Sequence, residues 1–272
     1  MKRLVTFFAL ALMTLSLASV STTSRAASVE DGDDVQAVDP TAIVRAFTRK
    51  ETEFRRALNG YTFKREAVVQ TIGFGGQITG EYARTSLFTF NDAGERFERI
   101  TYFPMPTLTE ISFTNEDLED LGGVQPFALE ASKIDQYNFT FVGREKVDEI
   151  GAYVFDVAPK VVPKKVSERF FQGRVWVDDR DLQIVKVKGK GVPEGKQRFP
   201  TFETYREQID GKYWFPTYTY ADDDLTFEGG QVVHLRMKVR YTDYKRFRGK
   251  VRVIEEGEPG DVPDEPQAKP KP

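Results

Sequence analysis

From Tyr61 onward the chain is written in a period of two, and this constrains its fold more than any other feature. In YTFKREAVVQT, Tyr61, Phe63, Ala67 and Val69 fall on one side of an extended chain; in GEYARTSLFTF, Tyr82, Phe88 and Phe90 do the same. Asn91-Asp92-Ala93-Gly94 supplies a turn before ERFERITYF, so three antiparallel strands follow one another. The pattern returns in YNFTFVG, with Tyr137, Phe139 and Phe141 on one face, and in AYVFDV, with Tyr153, Phe155 and Val157 on one face. SERFFQGRVWVDD, DLQIVKVKG, RFPTFETYREQI, KYWFPTYTY and QVVHLRMKVRYTDYKRF continue it. The series predicts a mainly β domain with some α, an all-antiparallel sheet or barrel of about ten to eleven strands joined by short turns.

Two helical segments interrupt this grammar. Ile43, Phe47, Phe54 and Leu58 recur near helical spacing behind Asp39-Pro40, an N-cap followed by proline at the first helical position, and Asn59-Gly60 is a stop. In TNEDLEDL, Thr114 and Asp117 stand at capping-box spacing before Leu118 and Leu121; Gly122-Gly123 ends that turn and PFALEASKI resumes it.

The ends read differently. Lys2 and Arg3 precede an apolar run from Leu4 to Leu17, and small residues continue to Ala26-Ala27, which is the layout of a secretory signal over 1–26 with a cut after Ser24-Arg25-Ala26. A membrane anchor is the alternative, but that run is shorter than the about 20 apolar residues a spanning helix needs and is broken by Thr14 and Ser16. Residues 27–38 form an acidic, flexible lead-in, 39–250 the folded domain, and 251–272 a disordered, Pro-rich acidic tail. The expectation is an exported, periplasmic protein with its signal cleaved.

Several chemistries are excluded or unsupported. The chain has no cysteine, so it can form no disulfide, thiol nucleophile, zinc ribbon or lipidated amino-terminal Cys. Its formal charge of -3 becomes -6 without Lys2, Arg3 and Arg25, a poor match for nucleic acid phosphates. The single histidine, His234, lies on the charged alternation of QVVHLRMKVRY, where a solvated strand position explains it better than a catalytic base does. Asp178, Asp179 and Asp181 sit between two strand patterns and read as a turn, since DDRDLQ lacks the ligand spacing of a calcium loop; Asp222-Asp223-Asp224 reads as another strand-end corner. No GxSxG, HExxH or GxxxxGK[ST] occurs, and nothing calls for a cofactor or metal. Isolated Ser, Asp and Glu leave open a hydrolase with an unrecognised site.

The export signal, the first amphipathic helix leading into YTFKREAVVQ, the helical turn at TNEDLEDL and the hairpin RVWVDDRDLQIVKVKG together resemble the LolA/LolB-type outer-membrane lipoprotein-sorting proteins, closest to their longer relatives from environmental bacteria. The resemblance spans roughly Asp39 to Phe247 and rests on layout. It implies an unclosed antiparallel β-barrel covered by a few helices, with an apolar hollow for acyl chains. It further implies a monomeric, non-enzymatic carrier of lipid or acylated lipoprotein cargo, with an inner-membrane donor and an outer-membrane acceptor. An envelope-stress or assembly module that binds a protein, as RseB-like relatives do, is the alternative.

On that reading Phe63, Phe88, Phe90, Phe139, Phe141, Tyr153 and Phe155 are the candidate lining of the lipid cavity; the competing reading is that the same rings fill a solid core. Arg65 and Arg84 share the alternation of Phe63 and Phe88. They either point inward, to contact a lipid headgroup or hold the helical lid by its carbonyls, or are turned outward by a register shift near Gly80 or the Gly73–Gly76 stretch.

Overall fold

The computed structural model describes residues 39–91, 93–113, 129–164, 169–194 and 198–247. The signal, the acidic lead-in, the carboxyl-terminal tail and the helical turn expected at TNEDLEDL lie outside the described residues.

The chain enters through α1 (Pro40–Leu58). Asp39 accepts a hydrogen bond from the Thr41 amide at 2.9 Å, and Pro40, which has no N–H to satisfy, opens the helix. Ile43, Val44, Phe47, Thr48, Glu51, Phe54 and Leu58 form its buried stripe. Within that stripe, Glu51 stands out as a carboxylate on an apolar helix face.

Among the described residues ten strands follow: β1 (Tyr61–Ile72), β2 (Ile78–Phe90), β3 (Arg96–Tyr102), β4 (Tyr137–Val147), β5 (Ile150–Pro159), β6 (Phe170–Asp178), β7 (Ile184–Val192), β8 (Phe202–Gln208), β9 (Trp214–Thr226) and β10 (Val232–Arg246). They form one antiparallel sheet in the order β3-β2-β1-β10-β9-β8-β7-β6-β5-β4. Every neighbour is a sequence neighbour except β1 and β10, whose ladder runs from Tyr61↔Arg246 to Ile72↔His234 and joins the two ends of the domain. The sheet is not closed: β3 and β4, consecutive in the chain, are its two edges. A 3-10 turn at Ala131–Gln136 leads into β4. No helix among the described residues is long and apolar enough to cross a membrane.

Alternation sorts side chains between two faces. The inner face carries Phe63, Ala67 and Val69 of β1, Val233, Leu235 and Val239 of β10, Val175 and Val177 of β6 and Phe155 and Val157 of β5, all buried. On it Gly173 pairs with Gly189, and the Phe171 ring lies over the pair. A Cβ at Gly189 would fall 2.5 Å from that ring, so the two missing side chains make the space Phe171 fills. The other face is mostly polar, with one small apolar cluster of Ala152, Val154, Trp176 and Val185.

One expectation is corrected. Asp222, Asp223 and Asp224 are not a corner but lie within β9, which continues to Thr226. The outward positions are tolerated in mid-strand because β10 answers them with cations: Asp222 pairs with Arg236 and Asp224 with His234 in the ladder.

Candidate functional site

The site is built where α1 meets the inner face. Phe47 packs edge-on to Phe139 and tilted against Phe155, both at 5.8 Å between ring centres, while Phe54 packs edge-on to Phe215 at 5.7 Å. Between these rings, Glu51 receives both amino groups of Arg206 from β8, at 2.7 and 3.0 Å. The guanidinium also lies over the Phe54 ring, 4.8 Å from its centre. Farther along the helix, Arg55 donates to Glu130 at 2.7 Å and the Thr52 hydroxyl accepts from the Ala131 amide at 3.0 Å, which ties the 3-10 turn to α1.

The carboxyl end of α1 is capped from the sheet. Arg96 of β3 donates to the Leu58 carbonyl at 3.1 Å and to Asn59 Oδ1 at 3.4 Å. A cation there satisfies a carbonyl that has no partner within the helix and meets the negative end of the helix dipole. Burial holds the Arg96 guanidinium below its ordinary range, and the charge of Arg65 adds to the effect.

The predicted aromatic residues fall into two groups at the two ends of the strand order. On β1 and β2, Phe63 stacks on Phe88 at 4.6 Å and touches Tyr241 and Tyr244, while Phe90 stacks on Phe247 at 4.2 Å. On β4 and β5, Phe141 lies 5.3 Å from Phe155 and 6.4 Å from Tyr153, and Phe139 lies beside Tyr137. α1 reaches the second group with Phe47. Phe155 is wholly buried and Phe63 nearly so, whereas Phe88, Phe90, Phe139, Phe141 and Tyr153 are half-buried. Tyr241, buried beside Phe63, has its phenol pushed up to about 12 by that burial.

Arg65 and Arg84 both point inward. The register shift in the β1–β2 ladder falls between Thr71 and Ile72, beyond the Ala67↔Arg84 pair, so the alternation reaches both arginines intact. Their partner is one carboxylate: Glu98 of β3 takes Arg65 on one oxygen at 3.1 Å and Arg84 on the other at 2.8 Å. The arginine that reaches a helix carbonyl is Arg96 instead.

Sequence reasoning missed Glu51, Arg206, Glu98 and Arg96. The signal was present for two of them. Glu51 sits between Phe47 and Phe54 on the apolar stripe of the helix, and Arg206 shares the alternation of Phe202 and Thr204; a charge on an apolar repeat asks for a buried partner.

On the opposite face, β4 to β8 enclose a trough of about 730 Å³ lined by Arg174, Trp176, Lys186, Lys188, Lys190 and Glu203, among others. Its charges are answered by neighbouring side chains, Lys190 by Glu194 at 2.8 Å. Arg174 grips Asp156 at 2.7 and 3.1 Å, and Glu203 meets Lys188, Tyr205 and Lys186. Burial raises the Glu203 carboxyl, but those three partners outweigh it and hold the group at about 2. The aspartates of the β6–β7 turn are occupied by the backbone: Asp178 accepts from the amides of Arg180 and Asp181, and Asp181 from that of Gln183. Among the described residues, no three His, Asp or Glu side chains are placed to hold a metal ion.

No protein-family model and no curated protein matches the chain. A DUF1329 family protein from Desulfovibrio piger is 16% identical, over 77% of this chain and 94% of that one, at a TM-score of 0.39. A LolA superfamily protein from Nitrosomonas europaea is 14% identical, over 78% of this chain and 95% of that one, at a TM-score of 0.36. The architecture rests on the chain's own strand order, among the described residues an unclosed antiparallel sheet with α1 across its apolar face.

Proposed function

We propose that this domain is an exported carrier or binding protein for the acyl chain of a lipid or lipoprotein, with α1 as its movable cover. The observation that carries the reading is how α1 is held: its Phe47 and Phe54 rings occupy the inner face, and a single buried charge pair, Glu51–Arg206, fastens the middle of the helix. In this arrangement the rings of α1 stand in for cargo. Lifting the helix exchanges ring contacts for acyl contacts on the same apolar surface, at about 0.8 kcal/mol per methylene buried. A polar fastening is the kind that can separate, because both partners regain water once exposed. An inner-membrane donor and an outer-membrane acceptor for the cargo belong to this proposal. It is a proposal of binding, not of catalysis.

A second reading is favoured by the β3 edge. Phe97, Ile100, Tyr102, Phe103 and Met105 are exposed on and just after an edge strand. Such an edge suits strand addition by an extended segment of a partner protein. Mass spectrometry of lipids extracted from protein recovered from the periplasm separates the two. The carrier reading expects acyl lipid in near-stoichiometric amount and displacement of a fluorescent fatty-acid probe. Lipid-free protein that ignores the probe would leave the second reading standing alone.

A further inference from the structure

We infer that the amphiphile bound by this domain has an anionic head, a phosphate or a carboxylate, received by Arg65, Arg84 and Arg96 at the β3 end of the inner face. The inference rests on the carrier reading and names the class of its ligand.

Charge is the first ground. Among the described residues, these three guanidiniums meet one carboxylate, Glu98, whose two oxygens are already taken by Arg65 and Arg84. Glu95, next to Arg96 in the chain, is engaged with Asn91, and the buried carboxylate of Glu51 with both amino groups of Arg206. Arg65 and Arg96 instead share an aromatic ring, lying 4.9 and 5.3 Å from the centre of Phe88, and Arg96 also lies 4.9 Å from that of Phe63. Ring faces attract cations but do not neutralise them. A surplus of positive charge, buried at Arg65 and half-buried at Arg84 and Arg96, is costly unless an anion completes it.

Unanswered donors are the second ground. Arg96 Nη2 is buried without a hydrogen-bond partner, and the buried Tyr82 hydroxyl meets only the Arg84 guanidinium, from which it can accept but to which it cannot donate. Native proteins leave few such groups. Tyr82 and Arg84 share one alternation of β2, and Arg96 and Glu98 share one of β3, so the open donors and the paired arginines belong to one face. Tyr82 lies on the far side of Arg84 from Arg96 along β2, so an oxyanion among the guanidiniums would take up the open Arg96 donor and leave Tyr82 beside Arg84.

The third ground is what lies next to them. Ile100 follows Glu98 on the same alternation of β3 and is 48% exposed, and Phe103, 50% exposed, packs against Tyr82 at 5.5 Å. A charged cluster flanked by exposed apolar side chains fits a molecule that is ionic at one end and aliphatic at the other. Glu98 then acts as the internal counter-ion of the empty state, competing with the ligand head for Arg65 and Arg84.

The test compares lysophosphatidylglycerol with a monoacylglycerol of the same chain length, by titration against the full mature chain. The anionic lipid is expected to bind about tenfold more tightly or better, the contribution of one or two charge-assisted hydrogen bonds. Arg84→Gln should bring the ratio of the two affinities toward unity. Glu98→Gln should raise affinity for the anion several-fold, a gain that a misfolded variant cannot imitate. Equal affinity for the two lipids, or loss of anion binding in Glu98→Gln, overturns the anionic head while leaving the carrier reading intact. Inorganic phosphate that binds with the same dependence on Arg84 and Glu98, with neither lipid bound, keeps the anion site and removes the carrier. No binding of any of the three removes both.

Discussion

Glu51 and Arg206, 155 residues apart in sequence, face each other through hydrogen bonds of 2.7 and 3.0 Å, with side chains 3% and 6% exposed. Neither charge could be buried here without the other. Removing one partner leaves an isolated charge between Phe54 and the sheet, so Glu51→Ala or Arg206→Ala should cost about 3–5 kcal/mol. The double replacement Glu51→Leu with Arg206→Met should cost much less than either single change and can be neutral, since well-packed apolar groups avoid the desolvation of both ions. Urea unfolding followed by tryptophan fluorescence reads this cycle. Single variants within about 1 kcal/mol of the parent would mean that the pair does not fasten the helix.

The aromatic face separates into positions with different tolerance. Phe155 is wholly buried between Phe47 and Phe141, so Phe155→Ala should lose about 3–5 kcal/mol through the cavity it leaves. Phe141 is half-buried, so a carboxylate placed there keeps access to water. Phe141→Glu is therefore expected to fold cooperatively and to weaken binding of a fluorescent fatty-acid probe. Loss of cooperative unfolding in Phe141→Glu would instead mark this face as closed core with no room for an acyl chain.

Much of this was legible because the signals are local. Asp39-Pro40 and the spacing of Ile43, Phe47, Phe54 and Leu58 announce α1, and alternation puts Arg65 with Phe63 and Arg84 with Phe88, but only the β1–β2 ladder, with its shift beyond Arg84, decides that both point inward. What the sequence withheld is what depends on distant partners. The β1–β10 ladder, the Glu98 bridge between Arg65 and Arg84 and the cap that Arg96 gives Leu58 are set by which strands become neighbours, and no local period encodes that. Asp222 and Asp224 show the same limit. Read alone, three aspartates end a strand; read with Arg236 and His234 across the ladder, they belong inside one.

His234 is held by carboxylates on both sides, with Nε2 2.5 Å from Asp222 and Nδ1 2.7 Å from Asp224. Both ring nitrogens can donate only in the imidazolium, so the geometry favours the charged form. The hydrogen bond to Asp222 raises its pKa above the ordinary value of about 6.5, and Asp224 adds to it. With the folded value raised, the stabilisation is fully present below the unfolded value and is lost as pH rises through the folded one. Arg236 and Tyr220 also bind Asp222, and the cluster is largely solvated, so the effect should stay below about 1 kcal/mol. Melting temperatures measured from pH 5.5 to 9 should show a small alkaline decline that His234→Gln abolishes. A decline unchanged in that variant would assign it to other groups.

The β6–β7 turn gives the sharpest contrast among equivalent-looking acids. Asp179 donates its amide to the Gly151 carbonyl, a contact of the backbone, so Asp179→Asn should change stability by less than about 0.5 kcal/mol. Asp181 is different: one oxygen accepts from the Gln183 amide at 2.9 Å, and the other from Gln183 Nε2 at 3.0 Å and Trp214 Nε1 at 2.8 Å. Gln183 is itself buried and passes the connection on to the Lys212 carbonyl at 2.9 Å. Asparagine can offer only one oxygen, and in either orientation its amino group confronts a donor. Asp181→Asn and Asp181→Ala should both cost about 1–3 kcal/mol, with a shift in the tryptophan emission as the Trp214 indole loses its acceptor. Calcium should leave the melting temperature of the parent unchanged. A calcium-dependent rise in the parent that Asp181→Asn lacks would show that these aspartates bind a cation as well as turn the chain.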